Sequence, residues 1–171
     1  MSDALTIRPA SIAEADRLGH LAYFAWESSM DHVLAGQSDA GPVAEREALL
    51  LSFQLFCINA SADIVVADEG GMPIGWAARD AMSAYVSDLW VDPLHQRQGV
   101  GRSLLRRIED DIFREGLDVS VLETHAENGG AIRFYAREGY GIVWRGVKFS
   151  RLLGRRIEKV RMEKQLVVVA H

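Results

Sequence analysis

Residues 89–105 read Leu-Trp-Val-Asp-Pro-Leu-His-Gln-Arg-Gln-Gly-Val-Gly-Arg-Ser-Leu-Leu. The apolar run ends at Pro93, which cannot donate to a strand ladder. Gln96, Arg97, Gln98, Gly99, Val100 and Gly101 then form a short polar loop. Leu104, Leu105, Ile108 and Ile112 follow at helical spacing, on one face. A glycine turn at a helix start gathers unpaired backbone N–H groups at the positive end of the helix dipole. Such a place binds phosphate, and glycine lets the backbone come close to it.

Two common phosphate loops are excluded. No Gly-Lys-Ser/Thr follows the glycines, so the stretch is not a nucleoside-triphosphate P-loop. Leu104 stands where a dinucleotide fingerprint needs its third glycine. A second stretch, residues 119–140, reads Val-Ser-Val-Leu-Glu-Thr-His-Ala-Glu-Asn-Gly-Gly-Ala-Ile-Arg-Phe-Tyr-Ala-Arg-Glu-Gly-Tyr. A strand ends near Thr124. A helix follows with Ala131, Phe134 and Tyr135 on one face and Gly139 at its stop.

The Gln-x-x-Gly-x-Gly loop behind Val-Asp-Pro resembles the acetyl-CoA pyrophosphate loop of the GNAT superfamily of N-acetyltransferases. The Leu-Glu strand end, Asn128 and Phe-Tyr-x-x-x-Gly-Tyr resemble the other half of that family's core. The resemblance covers residues 84–141 well and the flanks in outline. It implies a seven-stranded, mostly antiparallel mixed α/β sheet with one splayed parallel pair and four helices. It implies acetyl-CoA held by the main chain of Leu89, Trp90 and Val91, with Arg97, Gln98, Gly99, Val100, Gly101 and Arg102 at the pyrophosphate and Asn128 on the pantetheine arm. It makes Tyr135 the acid toward the leaving sulfur and Glu123 the base. Asp88, His125 and water are alternative bases, and Asn128 also suits a helix N-cap.

The implied reaction is acetyl transfer to a primary amine in a ternary complex. The amine must be neutral, the carbonyl oxygen stabilised and the cofactor held in register. Cys57 is the chain's one cysteine and lies in an apolar run, which argues against an acyl-cysteine route. A non-catalytic acyl-CoA sensor and a transferase for longer acyl groups are the alternatives. No His/Cys/Asp cluster has metal-ligand spacing, so no metal is expected.

The remaining elements are expected in the order strand (Leu5–Pro9), two helices, two strands in a hairpin, then the segments above, then two strands (Tyr140–Val147 and Ile157–Val169). Ser11 to Glu14 is a capping box for the first helix. Gly36–Gly41 is a loop, and Pro42 opens the second helix. A chain of 171 residues without linker or repeat is read as one domain, 1–171. No signal peptide or membrane span is visible, so a cytoplasmic enzyme is expected, with room for a homodimer.

Charge is unevenly placed. Residues 1–95 hold 14 Asp/Glu and 4 Lys/Arg, a net of −10, and residues 96–171 hold 10 and 15, a net of +5. The basic half suits a phosphate-rich cofactor. Overall acidity argues against nucleic acid. Glu27, Asp31, Asp39, Glu45 and Glu47 against Arg46 favour a cationic amine acceptor, with Arg151, Arg155 and Arg156 as a counterweight.

Overall fold

The computed structural model describes residues 4–34, 43–150 and 153–167. Its elements are β1 (Thr6–Pro9), α1 (Ala15–Leu34), α2 (Val43–Asn59), β2 (Ile64–Glu69), β3 (Met72–Arg79), β4 (Tyr85–Val91), α3 (Val100–Arg114), β5 (Val119–His125), α4 (Gly129–Arg137), β6 (Gly141–Ser150) and β7 (Arg155–Gln165). The strands form one sheet in the order β1-β2-β3-β4-β5-β7-β6. Every neighbouring pair is antiparallel except β4 and β5.

Both faces of the sheet are covered. On one face Leu104, Leu105, Ile108 and Ile112 of α3 pack on Val86, Leu122 and Met162. On the other, α1 and α2 bury Leu18, Ala22, Leu49 and Phe53 against Trp76. The Trp76 indole donates to the carbonyl of Leu18 at 2.9 Å, so the largest buried ring leaves no polar atom unpaired. Ile64-Val65-Val66-Ala67 is buried throughout, as expected of a strand covered on both faces.

The capping box forms: the Ser11 hydroxyl accepts from Ala13 N, and Glu14 accepts from Ser11 N at 2.9 Å. It opens a 3-10 turn, Ile12–Glu14, which runs into α1. Helix α3 starts at Val100, so Val100 and Gly101 belong to its first turn rather than to the loop. Strand β6 runs past Val147 because its pairing with β7 continues to Ser150↔Arg155. Tyr140 precedes that strand and is buried, its hydroxyl donating to Glu109 at 2.9 Å and accepting from the Ser120 hydroxyl at 2.7 Å. The Gly36–Gly41 loop, Pro42, Arg151 and the strand expected over Val168–Val169 lie outside the described residues.

One irregularity positions the site. Arg79 pairs with Val86 but Ala78 pairs with Asp88, so Ser87 is an extra residue on β4, a bulge. Strands β4 and β5 pair only at Tyr85↔Val121 and Val86↔Leu122. Beyond Val86 they part, and the β4 edge facing β5 loses its ladder partner. The gap lies at the carboxyl ends of two parallel strands, where open α/β sheets take their ligands.

Candidate active site

The loop between β4 and α3 is built before any ligand arrives. Asp92 caps a 3-10 turn, Pro93–His95, by accepting from Leu94 N at 2.8 Å. Gln96 donates to the carbonyl of Val91 at 3.2 Å, and Gln98 to that of Leu94 at 3.1 Å. Arg97 (φ +64°) and Gly99 (φ +86°) are both left-handed, and such turns make concavities lined by backbone N–H groups. Gly99 is the N-cap of α3 and brings no side chain to it. The helical ladder begins with Ser103 N donating to the Gly99 carbonyl at 3.0 Å, so the earlier amides of α3 lack helical acceptors. An anion is the partner this arrangement suits.

The loop opens onto a cleft of about 720 Å³ between β4 and α4. Leu89, Trp90, Val91, Arg97, Gly99, Gly101, Arg102, Asn128 and Tyr135 line it, bringing together nine of the twelve residues named from sequence. Gln98 and Val100 do not line it: the first braces the loop, and the second is 4% exposed in the core. A Cβ on Gly101 would meet Phe134 at 3.4 Å and Val91 at 3.6 Å, so the glycine keeps the cleft floor open between the two elements. Asn128 accepts from Ala131 N at 3.1 Å and thus caps α4, leaving its amide NH₂ free of that bond.

Sequence reasoning passed over Arg133 and Arg137, which also line the cleft. With Arg97 and Arg102 they give it four guanidinium groups, of which Arg102 donates to Glu138 at 2.8 Å. Their i, i+4 spacing on the helix behind Asn128 was the available signal.

A second pocket, about 480 Å³, lies on the α1/α2 side of the gap. It shares Ser29, Trp90 and Asn128 with the cleft, so the two meet at the splay. Trp26, Phe53 and Phe56 line its helical side, and Asp88, Glu123 and His125 its strand side. In sequence Trp26 stands on the apolar stripe of the first helix, and Phe53 and Phe56 in the apolar run around Cys57. Their role shows once α2 is laid on β4, with Phe53 edge-on to Trp90 at 5.3 Å.

The three candidate bases differ in their surroundings. Glu123 is 7% exposed and accepts from Lys148 Nζ at 2.5 Å, with Arg161 Nε at 3.4 Å. Asp88 accepts from the Trp90 indole at 3.0 Å and has no cation within salt-bridge distance among the described residues. Burial pushes its carboxyl above the ordinary range. His125 accepts from Glu127 N at 3.3 Å through Nδ1, which places the proton of its neutral ring on Nε2, and burial lowers its pKa. Tyr135 packs edge-on to Phe134 at 5.1 Å and Tyr140 at 5.7 Å. Burial, with Asp88 and Tyr85 nearby, pushes its phenol far above the usual value, so it stays protonated. Tyr85 is pushed up to about 12 by burial and then by Glu123.

Known proteins share this frame. A GCN5-related N-acetyltransferase structure from Rhodopseudomonas palustris superposes with a TM-score of 0.74 at 16% identity, covering 97% of this chain and 98% of that one. PaiA N-acetyltransferase of Thermoplasma acidophilum, solved in complex with coenzyme A, superposes at 0.71 with 19% identity over 95% and 99% of the two chains. In sequence, the chain is 32% identical over 101 residues to the L-methionine sulfoximine/L-methionine sulfone acetyltransferase of Salmonella typhimurium, covering 53% of this chain and 59% of that protein. It is 39% identical over 57 residues to the [ribosomal protein bS18]-alanine N-acetyltransferase of Escherichia coli K12, covering 33% and 38%. The chain thus spans about two fifths to three fifths of the length of these curated relatives. Residues 23–140 match the model of the acetyltransferase (GNAT) family, and with both halves of its core in place the chain belongs to that family.

Proposed function

We propose that this chain transfers the acetyl group of acetyl-CoA to a primary amine by direct attack in a ternary complex. The observation that carries the proposal is the meeting of cleft and pocket at Ser29, Trp90 and Asn128, where β4 and β5 part. The cleft suits coenzyme A: a helix start with no side-chain cap and four arginines for phosphates, then a wall formed by Leu89, Trp90 and Val91 of β4. Bound there, acetyl-CoA supplies an activated acyl carbonyl. The rest falls to the protein.

The β4 main chain beyond the bulge offers amides with no β5 partner, one of which serves the oxygen that gains charge. The resemblance gives the base role to Glu123. Its ion pairs favour another assignment: Glu123 anchors Lys148 and Arg161, and Asp88 accepts the proton of the incoming ammonium. The freed amine nitrogen bonds to the acetyl carbon and the carbon–sulfur bond breaks. Tyr135 gives its proton to the sulfur. The nitrogen's second proton returns to the phenol through solvent, and the proton held by Asp88 leaves to solvent. The buried thiol of Cys57, raised to about 12 by burial, takes no part as a nucleophile.

Release of free CoA from acetyl-CoA tests this, measured against a panel of polyamines, amino acids, aminoglycosides and peptide N-termini. Amine-dependent release, lost in Tyr135→Phe, is the expected result. Tight acetyl-CoA binding without release to any amine would mark a sensor instead.

A further inference from the structure

The acceptor pocket has three sides of different chemistry. The helical side is aromatic, with Trp26 from α1 and Phe53 and Phe56 from α2. The β4 side carries Asp88, whose carboxylate has no cation beside it among the described residues. The β7 side carries Lys159, which stands opposite His125 in register. Glu123, the other carboxylate lining the pocket, is already held by Lys148 and Arg161. Lys159 has no acidic partner among the described residues.

These charges decide between acceptor classes. Asp88 and Glu123, with Asp80 acting on Asp88 from beyond the lining, face Lys148, Arg161 and Lys159, so carboxylates and cations are equal in number. Among the side chains described on the helices, Glu27 has Arg46 at 4.0 Å and takes a hydrogen bond from Tyr23 at 3.3 Å. A purely cationic acceptor therefore meets no net negative pocket. A molecule with an ammonium and a carboxylate answers both free charges at once. Asp88 and Lys159 sit on β4 and β7 with β5 between, so their backbones are about 10 Å apart at ordinary strand spacing, a little more across the splay. A lysine side chain and a small zwitterion span that distance. The aromatic side then receives whatever apolar group the molecule bears.

We propose that the acceptor is an apolar α-amino acid, held as a zwitterion with its ammonium toward Asp88, its carboxylate toward Lys159 and its side chain against Trp26, Phe53 and Phe56. This rests on the acetyl-transfer reading above and narrows it. The chemistry is unchanged: the α-nitrogen gains the acetyl group, and the carboxylate keeps its charge to hold register.

The test compares L-phenylalanine, phenethylamine, L-phenylalaninamide and a phenylalanine-led tripeptide amide, with L-methionine and 3-(methylthio)propylamine as a second series. Free CoA is read for each, with acetyl-CoA affinity measured separately by calorimetry. The free amino acids are expected to exceed the amines, the amide and the tripeptide in kcat/KM by about tenfold or more, the scale of a hydrogen-bonded charge pair. Most of that ratio is expected in KM, and in Lys159→Met it is expected to fall toward one. Equal or better use of the decarboxylated amines, the amide or the tripeptide, or an unchanged ratio in Lys159→Met, would overturn the zwitterion while leaving acetyl transfer standing. Acetyl-CoA binding with no release to any of these, or to a polyamine or aminoglycoside control, would overturn acetyl transfer and this inference with it.

Discussion

At the scale of single residues, the account turns on two carboxylates with different surroundings. Asp88→Asn keeps the contact with the Trp90 indole and removes the proposed base, so kcat at neutral pH is expected to fall about 10²- to 10⁴-fold. Glu123→Gln leaves Lys148 and Arg161 without their carboxylate and is expected to cost less in kcat and more in thermal stability. Stability of the Asp88 variant has a defined sign. The folded pKa lies above the unfolded one, so between the two values the folded chain holds more protons. Stability then falls as pH rises through that window. Asparagine does not titrate, so the Asp88→Asn melting temperature is expected at or above the parent's at pH 7, with the difference closing near the ordinary carboxylate pKa of about 3.9. A melting series from pH 3 to 8 reads it. Tyr135→Phe is expected to lose rate on the same scale while keeping the parent's dissociation constant for acetyl-CoA, as the proposed role of the phenol toward the leaving sulfur requires. Sequence alone named all of these residues except the partners that separate their roles. Lys148 lies 25 positions from Glu123, and only the β5-β7-β6 register brings them together.

At the scale of elements, α3 performs two tasks through opposite ends of one face. Its apolar stripe was legible from the spacing of Leu104, Leu105, Ile108 and Ile112, all 0–2% exposed. Its start was not, because the left-handed Arg97 and Gly99 let the helix begin at Val100, tighter than the loop suggested by composition. Gly99 adopts a conformation costly for any residue with a Cβ, and Gly101 holds back side-chain bulk between Val91 and Phe134. Gly101→Val is therefore expected to weaken acetyl-CoA binding by at least about tenfold, whereas Gly101→Ala, at ordinary contact distances, is expected to lose less. Calorimetry on the two variants checks the order. The other end of α3 is tied through Glu109, which accepts from Tyr140 at 2.9 Å and Lys164 at 2.7 Å. Tyr140→Phe removes one donor from a carboxylate that is 9% exposed and is expected to cost about 1–3 kcal/mol. Denaturant unfolding monitored by circular dichroism gives that value directly.

At the scale of the whole molecule, the order of elements was readable because strands and helices here carry clean periods, and each turn has its expected punctuation. The Ser11 capping box and the Val119–His125 strand are examples. What no local pattern could show is the join between the two halves of the charge distribution. The basic half supplies the cleft arginines and Lys159, the acidic half supplies Asp88, and the sheet places both beside one gap. The aromatic side has the same character: Phe53 belongs to the core and also lines the pocket, edge-on to Trp90, and Phe56 beside it stacks on Trp76. The central claim is that acetyl donor and amine acceptor occupy the two sides of that gap together. Initial rates of CoA release, with acetyl-CoA and the amine varied independently, test it most directly. Intersecting double-reciprocal lines with no release in the absence of amine are predicted, and parallel lines, or release that ignores the amine, would contradict it.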